Sequence, residues 1–350
     1  MKGESILALA VVVLLVGSSG SVCAGTYSGG TGEPNNPYRI ATANDVNDIG
    51  NYPEDWSSHF VMVNDINLAD YNGTQFNIIG TSGEPFAGVF DGNGHAISNF
   101  TYETNGNYVG LFGYVDGENA QIKNLGLIDP NVNAGTGDTV GPLIGRIQRG
   151  TVTNCYTKGG IVSGEDWVGG LAGANLSTIS NCYAASNVLG GNGAIEVPGV
   201  GGLVGYNGTT GTMSNCYATG DVSSETATGG LVGSNYGTIS NCYSIGGVSS
   251  SAAGGLVGHN YTTVTNSFWD TESSGQTWSS GGTGKTTVEM QTMSTFTDAG
   301  WDFVEVWNIG ENQTYPFLRV YPAGDLNHDG VVNMRDFAIV ASHWLEGTEP

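Results

Sequence analysis

The sequence predicts an all-β protein built around a parallel β-helix, a solenoid of stacked coils, with a cap at each end. Two observations predict this fold. A Gly-Leu-x-Gly motif recurs with its leucines 32, 28, 32, 28 and 25 residues apart, at Leu111, Leu143, Leu171, Leu203, Leu231 and Leu256. Glycine makes up 58 of the 350 residues, and short apolar runs lie between Gly, Asn, Ser and Thr without a helical period.

A second marker supports the same register. An asparagine precedes a short apolar run after each motif, at Asn124, Asn154, Asn181, Asn215, Asn241 and Asn266, and Asn99 leads the series. This unit length suits one β-helix coil, whereas the four strands of a propeller blade usually need about 40 residues or more. We expect glycine and asparagine to supply the left-handed backbone of tight corners, and the asparagines to form a ladder of amide hydrogen bonds.

Residues 1–24 are expected to be a secretory signal. Lys2 precedes an apolar run of 11 residues at 6–16, and small residues follow at the positions that a signal peptidase reads. Such a run is too short to span a bilayer. We therefore expect no membrane span and an extracellular or cell-surface location, which is a compartment that permits disulfides.

Residues 25–58 are expected to form the N-terminal cap. Thr42 is suited to be a helix N-cap, with Asp45 three residues later as in a capping box. On the helix that follows, Val46 and Ile49 would cover the first coil. A solenoid needs such cover because its first and last coils expose unpaired strand edges.

Residues 59–270 form the predicted β-helix, and the register assigns its inner face. An asparagine at a bend allows Ile122, Leu125 and Leu127 all to point inward, because the turn resets the alternation of side chains. The position of Leu125 becomes a cysteine in later coils, at Cys155, Cys182, Cys216 and Cys242. We expect free, buried thiols, because parallel stacked side chains suit the disulfide torsion poorly; bridges Cys155–Cys182 and Cys216–Cys242 are the alternative.

An aromatic stripe is predicted on the outer face of the same coils. A tyrosine follows each cysteine, at Tyr156, Tyr183, Tyr217 and Tyr243, and Phe268 continues the series. Planar rings on a rigid sheet suit stacking against sugar rings, so the stripe is a candidate glycan-binding site. The alternative is that tyrosine simply favours exposed strand positions and pairs with its neighbours there.

Residues 271–320 are predicted to be a C-terminal cap. The repeat ends in this segment, and large apolar side chains appear at Met290, Met293, Phe296, Trp301, Phe303, Trp307 and Phe317. We expect them to cover the last coil.

Residues 321–350 contain the one strong chemical motif, GDLNHDGVVNMRDFAIVASHWL at 324–345. Oxygen ligands stand at positions 1, 3, 5, 7, 9 and 12 of an EF-hand loop, at Asp325, Asn327, Asp329, the Val331 carbonyl, Asn333 and Asp336. Gly330 at position 6 permits the sharp bend that gathers these oxygens around a hard cation. Apolar residues at helical spacing follow the loop. A small α-helical, EF-hand-like segment with calcium as cofactor is therefore expected.

These patterns resemble two known families. The GLxG and NCY repeats, with the lead-in NPYRIATANDVNDIG, resemble the GLUG-motif repeats of secreted and surface-attached bacterial proteins, including adhesin-like ones, over roughly residues 33–320. The tail resembles one repeat of a type I dockerin, in which aspartate at loop position 12 is normal. Dockerins usually carry two such repeats, whereas this sequence has one. The resemblance implies calcium binding and a cohesin-like module as partner.

The net charge of the chain limits the classes of partner that it is expected to bind. The chain has 9 Lys and Arg against 32 Asp and Glu, for a formal net charge of −23. Nucleic acid and anionic membranes are disfavoured, because both are bound through clustered basic residues. The leading hypothesis is a non-catalytic β-solenoid at the cell surface that binds a polysaccharide or another surface component, with a calcium-dependent tail for attachment.

Two other hypotheses remain open. The first is a polysaccharide-degrading β-helix enzyme, a lyase or glycoside hydrolase, that carries a dockerin. Its candidate basic residues are Lys123, Arg146, Arg149 and Lys158, of which the last three are expected on neighbouring coils. Its candidate carboxylates are Glu165, Asp166, Asp221 and Glu225. The second is a purely structural envelope protein.

Overall fold

The computed structural model describes residues 25–192, 198–319 and 334. Within them the chain is a parallel β-solenoid, which confirms the predicted fold class. Two sheets of 13 strands, here called sheet I and sheet II, run the length of the solenoid, and a four-stranded sheet III joins them over the later coils. The expected signal at 1–24 lies outside the described residues. So do the predicted calcium ligands Asp325, Asn327, Asp329, Val331, Asn333 and Asp336.

Sheet I comprises Tyr38–Ile40, His59–Met62, Val89–Asp91, Phe112–Lys123, Ile144–Thr153, Ala172–Asn175, Thr178–Ser180, Val204–Asn207, Thr212–Ser214, Val232–Asn235, Thr238–Ser240, Val257–Asn260 and Val264–Thr265. Sheet II comprises Ile66–Asn67, Ala96–Ser98, Thr101–Glu103, Gly126–Ile128, Asn131–Asn133, Tyr156–Gly164, Tyr183–Gly190, Tyr217–Ala218, Val222–Ser223, Tyr243–Ser244, Val248–Ser249, Phe268–Asp270 and Thr283–Lys285. Sheet III comprises Val168–Gly169, Val200–Gly201, Ala227–Gly229 and Ala252–Gly254.

The glycines of the GLxG motif serve close packing of coils rather than left-handed corners, which corrects the expectation from sequence. Neither Gly202 nor Gly205 has a positive φ. A Cβ on Gly202 would lie 2.1 Å from the Gly230 carbonyl oxygen of the next coil, and one on Gly205 would lie 2.4 Å from the Trp167 backbone. A side chain at either position would therefore push neighbouring coils apart.

Asparagine supplies the left-handed corners, as predicted. The residue before each inward position has φ between 48° and 57°, at Asn99, Asn124, Asn154, Asn181, Asn215, Asn241 and Asn266. Their side chains form a ladder along the corner. The Asn154 Nδ2 donates to Asn124 Oδ1 at 3.0 Å, and the Asn215 Nδ2 donates to Asn181 Oδ1 at 3.1 Å.

A second asparagine ladder lies inside the solenoid and was not predicted. Asn175 donates to the Oδ1 of Asn207 at 2.8 Å, and Asn207 donates in turn to that of Asn235 at 2.7 Å. All three side chains are buried. Each amide therefore satisfies its neighbour where water cannot reach.

The inner face is as the register predicts. The six GLxG leucines are fully buried, and so are Ile122, Leu125 and Leu127. The cysteines Cys155, Cys182, Cys216 and Cys242 stack in the same core as buried, free thiols. Burial raises the pKa of the Cys182 and Cys242 thiols.

The N-terminal closure matches its prediction. Helix α1, Ala43–Asn51, begins at a capping box in which Thr42 Oγ1 accepts from the backbone N–H of Asp45, and the Asp45 carboxylate accepts from that of Thr42. Val46 and Ile49 are fully buried in the core. A short 3₁₀ helix, Pro53–Asp55, follows α1.

The C-terminal segment covers the end of the solenoid in an arrangement that the sequence did not predict. The strand Thr283–Lys285 pairs with the last coil of sheet II, and Trp269 fills the end of the core. Residues 287–319 then fold sideways onto the outer face of sheet II. This segment, here called the lateral cap, contains helices α2, Thr287–Met290, and α3, Met293–Thr297, and an antiparallel pair, Trp307–Asn308 with Phe317–Leu318.

Candidate functional site

The predicted aromatic stripe exists and lies on the outer face of sheet II. The strand register aligns Tyr156, Tyr183, Tyr217, Tyr243 and Phe268, here called the sheet II row. The residues beside them in each strand, such as Thr157 and Ala184, are buried in the solenoid. The tyrosines therefore point away from the core, because side chains alternate along a strand.

The rings of the sheet II row are stacked on one another. Successive tyrosine centroids are 5.0, 4.8 and 5.0 Å apart, and the ring planes differ by only 4°, 5° and 6°. Both faces of Tyr183 and Tyr217 are thus occupied by neighbouring tyrosines. This corrects the expectation that the row offers ring faces to sugars, since its inner rings present edges and hydroxyl groups instead.

The lateral cap covers the far end of this row. Tyr243 is 1% exposed and Phe268 7% exposed. The Tyr243 ring packs against those of Trp301 and Trp307, with centroids 6.3 and 6.1 Å away, and its hydroxyl donates to the Pro316 carbonyl. Tyr243 is therefore a docking residue for the cap, which corrects its assignment to a glycan-binding site.

The exposed part of the sheet II row is small. Tyr217 packs against Trp307 at 6.1 Å, while Tyr156 and Tyr183 remain half-buried. Burial raises the pKa of Tyr183 to about 12 and raises the pKa of Tyr156 and Tyr217 as well. These shifts mark the row as a packed surface in which the phenols stay protonated.

A second group of aromatic side chains lies over the outer face of sheet I and was missed in the sequence. We call it the sheet I row: Tyr114, Arg146, Trp167, Tyr206, Tyr236 and Tyr261. All six are half-buried or exposed, and Tyr261 is 60% exposed. For Tyr114, Arg146 and Tyr206 the signal was the position after the GLxG motif, which in the other coils is Ala174, Ser234 and His259. Trp167, Tyr236 and Tyr261 stand at other positions of the repeat.

The sheet I row is stacked in pairs rather than continuously. Trp167 lies 4.4 Å from Tyr206 with planes 13° apart, and Tyr236 lies 4.3 Å from Tyr261 with planes 17° apart. Between the pairs, Tyr206 and Tyr236 are 5.7 Å apart and tilted by 45°. The surface is therefore broken into aromatic steps, in contrast to the uniform stack on sheet II.

Arg146 places a positive charge within this row. Its guanidinium carbon is 5.6 Å from the centre of the Tyr114 ring, a cation–π distance. Its Nε and Nη2 donate to Gln148 Oε1 at 3.2 and 2.6 Å. Arg149, by contrast, is paired with Asp116 at 2.6 Å. Within residues 25–192 and 198–319, Arg146 has no carboxylate at ion-pairing distance.

Two aromatic residues, Trp167 within the sheet I row and Tyr108 beside it, have strained backbones. Trp167 has φ of 48° and Tyr108 has φ of 59°. Bulky residues rarely adopt this region, and each such residue costs on the order of 1–3 kcal/mol. Trp167 stacks on Tyr206, and Tyr108 meets Tyr114 edge to face at 5.3 Å. The strain thus accompanies the placement of two rings against the sheet I row.

A shallow groove of about 590 Å³ runs along the outer side of sheet II, beside the tyrosines. Ile161, Leu189, Asn187, Asp221 and Val248 contribute to its lining. The Asp221 carboxylate already accepts the backbone N–H of Gly247 at 2.8 Å. This groove offers aliphatic and small polar side chains to a ligand, with few charges.

The residues considered for catalysis do not gather as expected. Arg146 and Arg149 share the strand Ile144–Thr153 of sheet I, whereas Lys158 is in Tyr156–Gly164 of sheet II. They belong to one coil and two sheets, so the expectation of neighbouring coils was wrong. In the described part of the chain, no cluster of three or more His, Cys, Asp or Glu side chains has metal-binding geometry.

Comparison with known proteins identifies the repeat. Residues 198–223 and 224–249 match the GLUG motif. A protein of Evansella cellulosilytica, assigned the name Gly-rich membrane protein, is 31% identical over 92% of this chain and 49% of the relative. Halomucin of Haloquadratum walsbyi is 29% identical over 84% of this chain and 3% of that protein. The chain thus spans about half of the first relative and a small fraction of the second.

A solved structure shares the fold. A Bacteroides ovatus protein assigned as an immunoglobulin A1 protease superposes with a TM-score of 0.54 at 21% identity, over 84% of this chain and 95% of that one. At this identity the likeness shows the fold alone. No helix within the described ranges has both the length and the apolar character needed to cross a bilayer.

Proposed function

We propose that this protein is a non-catalytic β-solenoid, secreted or held at the cell surface, that binds a polysaccharide or another surface component through the sheet I row. The proposal rests on one observation: the lateral cap covers part of the sheet II row and leaves the sheet I row uncovered. The lateral cap buries Tyr243 and Phe268 of the sheet II row, whereas Tyr261 of the sheet I row is 60% exposed.

Three features of the sheet I row support polysaccharide binding. Three of its residues stand on strands of sheet I and the other three lie directly next to strand ends, which lowers the conformational entropy lost when a ligand binds. Its aromatic steps repeat along the solenoid, so that an extended chain molecule would meet several of them at once. Arg146 adds hydrogen-bond donors beside the apolar rings. Aromatic surface combined with a few polar groups is common in ligand sites.

The name of one relative supports the proposed surface location. The Evansella cellulosilytica protein is named as a membrane protein, and the GLUG repeats resemble those of surface-attached bacterial proteins. The predicted secretory signal at 1–24 agrees with this location.

The proposal includes a calcium-dependent tail that attaches the protein to a cohesin-like module or another surface component. It rests on the spacing of Asp325, Asn327, Asp329, Val331, Asn333 and Asp336. Calorimetry should detect one calcium ion bound by the full chain, and the variant with Asp325→Ala and Asp329→Ala should bind none. Equal heats from both proteins would remove the site.

Affinity electrophoresis in polysaccharide gels tests the binding function. The full chain should be retarded by at least one polysaccharide with a chelator present, because the sheet I row does not need the calcium tail. The same gels can be assayed for reducing sugars and unsaturated uronates. No retardation on any polysaccharide would refute binding, and release of sugars would favour the enzyme hypothesis.

A further inference from the structure

We infer that Arg146 and the aromatic rings around it form a subsite for the carboxylate of an acidic polysaccharide, a chain of uronate sugars. This inference rests on the proposed function and names the class of ligand for the sheet I row. It would place an anion-binding point on a chain whose formal net charge is −23.

The first argument comes from how the cations of this protein are used. Lys123 pairs with Asp91, and Lys285 pairs with Glu289. Arg149 pairs with Asp116 at 2.6 Å and with the exposed Glu118 at 3.7 Å, so its one positive charge is shared by two carboxylates. Arg146 is held by the neutral Gln148 instead. Arg39, Lys158 and Arg319 likewise have no carboxylate at ion-pairing distance among the described residues, so Arg146 is distinguished by its place in the sheet I row and by the side-chain amide that orients it.

The second argument concerns the donors of Arg146. A guanidinium has five N–H donors in a planar fork. The Nε–H and one Nη2–H go to Gln148 Oε1, which fixes the plane of the group. Three donors remain. An arginine fixed in this way suits a carboxylate, which accepts two parallel hydrogen bonds from one guanidinium.

The third argument concerns the neighbours of Arg146 on sheet I. Tyr114 lies in the coil before it, with the ring 5.6 Å from the guanidinium carbon. The aligned residue in the coil after it is the small Ala174, and Tyr206 follows. The positive charge therefore has aromatic side chains on both sides along the solenoid, separated on one side by an alanine.

The two aromatic residues with left-handed backbones contact the neighbours of Arg146. Tyr108 and Trp167 have left-handed backbones, and their rings contact Tyr114 and Tyr206, the two tyrosines that flank Arg146 in the register. Most other left-handed positions in the solenoid are asparagine or glycine, but Asp129 and Thr139 are not, and Thr139 lies at the equivalent corner of the coil between Tyr108 and Trp167. The left-handed backbone is thus a recurring corner, and it bears on the subsite only through the two rings that it directs toward the tyrosines flanking Arg146.

A uronate chain matches this arrangement. The ring hydrogens of a sugar give it an apolar face that can lie on aromatic side chains, while its carboxylate reaches the guanidinium. The repulsion from distant acidic residues is limited, because the Debye length is about 8 Å at physiological salt. A neutral sugar would leave the free donors of Arg146 to water and would gain less.

The test compares polygalacturonate with highly methyl-esterified pectin, in which most of the same carboxylates are uncharged. Affinity of the full chain is measured in EDTA, so that neither calcium gelation nor the predicted tail contributes. We expect the charged polymer to bind about tenfold more tightly, the size of effect that a charge-assisted hydrogen bond supplies. Arg146→Gln should remove this preference and keep the binding to the methyl ester. Arg146→Lys should retain part of the preference, because it keeps the charge and loses the planar fork.

Lys158→Gln is the matched control. It changes the net charge by the same amount, and Lys158 is exposed on sheet II. The preference should survive in this variant. Equal affinity of the native protein for both polymers, or a preference that persists in Arg146→Gln, would overturn the inference while leaving polysaccharide binding in place. Binding to neither polymer, nor to any neutral polysaccharide, would overturn both the inference and the proposed function.

Discussion

The two aromatic rows lie over the outer faces of two parallel sheets of one solenoid, yet they are used differently. In the sheet II row, parallel tyrosines cover each other's faces, and Trp301 and Trp307 of the lateral cap cover the last of them. In the sheet I row, Trp167 and Tyr206 form a short stack, and no part of the lateral cap lies on Tyr261, which is 60% exposed. An outward-facing aromatic row is therefore a binding surface. It binds a segment of the same chain where such a segment covers it, and it stays open to other ligands where none does.

Removing the cap's central ring should give the largest effect. Trp307 is fully buried against Trp301 and Tyr243, so Trp307→Ala should cost about 3–5 kcal/mol of cap stability. We expect residues 287–319 to become sensitive to protease while the solenoid keeps its circular dichroism. Trp278→Ala is the control, because Trp278 is 58% exposed and should change stability by less than about 0.5 kcal/mol. Loss of the whole β-sheet signal in Trp307→Ala would show that the cap and the solenoid are one cooperative unit.

A smaller effect is expected inside the strand that carries the sheet I row. Asn207→Ala removes two buried hydrogen bonds at about 0.5–1.5 kcal/mol each, since Asn175 keeps the Thr212 carbonyl and Asn235 keeps the Gly237 N–H as partners. Tyr206→Ala, one residue away on the outer face, should cost less because Tyr206 is only half-buried. Denaturant unfolding of the two variants measures the difference. Equal destabilisation would mean that the inner ladder contributes little.

The pH dependence of stability tests the packing of the sheet II row. Burial raises the pKa of Tyr183 to about 12, above the usual value of about 10. The unfolded chain loses this proton near pH 10 whereas the folded chain keeps it. The contribution of Tyr183 to stability is thus complete below about pH 10 and is lost as the pH rises toward 12. Phenolate absorbance should show a late-titrating fraction, reduced in Tyr183→Phe. A single transition near pH 10 with the fold intact would contradict the packing of this row.

The sequence was sufficient to predict the length of the coil and the residues on its inner face. Identical positions repeat there, because every coil must present an apolar residue to the same core, as at Leu203 and Cys216. Left-handed corners at Asn215 and Asn241 were predictable for the same reason. The role of Gly202 was not, since its close approach to Gly230 involves the backbone of the next coil and leaves no pattern within one repeat.

The candidate site was less predictable. The sheet I row follows no repeating residue type, because an outward position need not match its neighbours: Arg146 is followed in register by Ala174 and then by Tyr206. The cover of Tyr243 depends on Trp301 and Trp307, which lie far along the chain and outside the repeat. The sequence of a repeat does not indicate which sheet a terminal segment will pack against.

The most direct test of this account compares two matched double variants in affinity electrophoresis. Tyr206→Ser with Tyr261→Ser removes rings from the sheet I row, and Tyr156→Ser with Tyr183→Ser removes two from the exposed part of the sheet II row. Circular dichroism checks that both variants fold. The account predicts that the first variant loses retardation in the polysaccharide gel and that the second keeps it. Retardation that persists in the first variant and disappears in the second would contradict it, and would return the binding surface to sheet II.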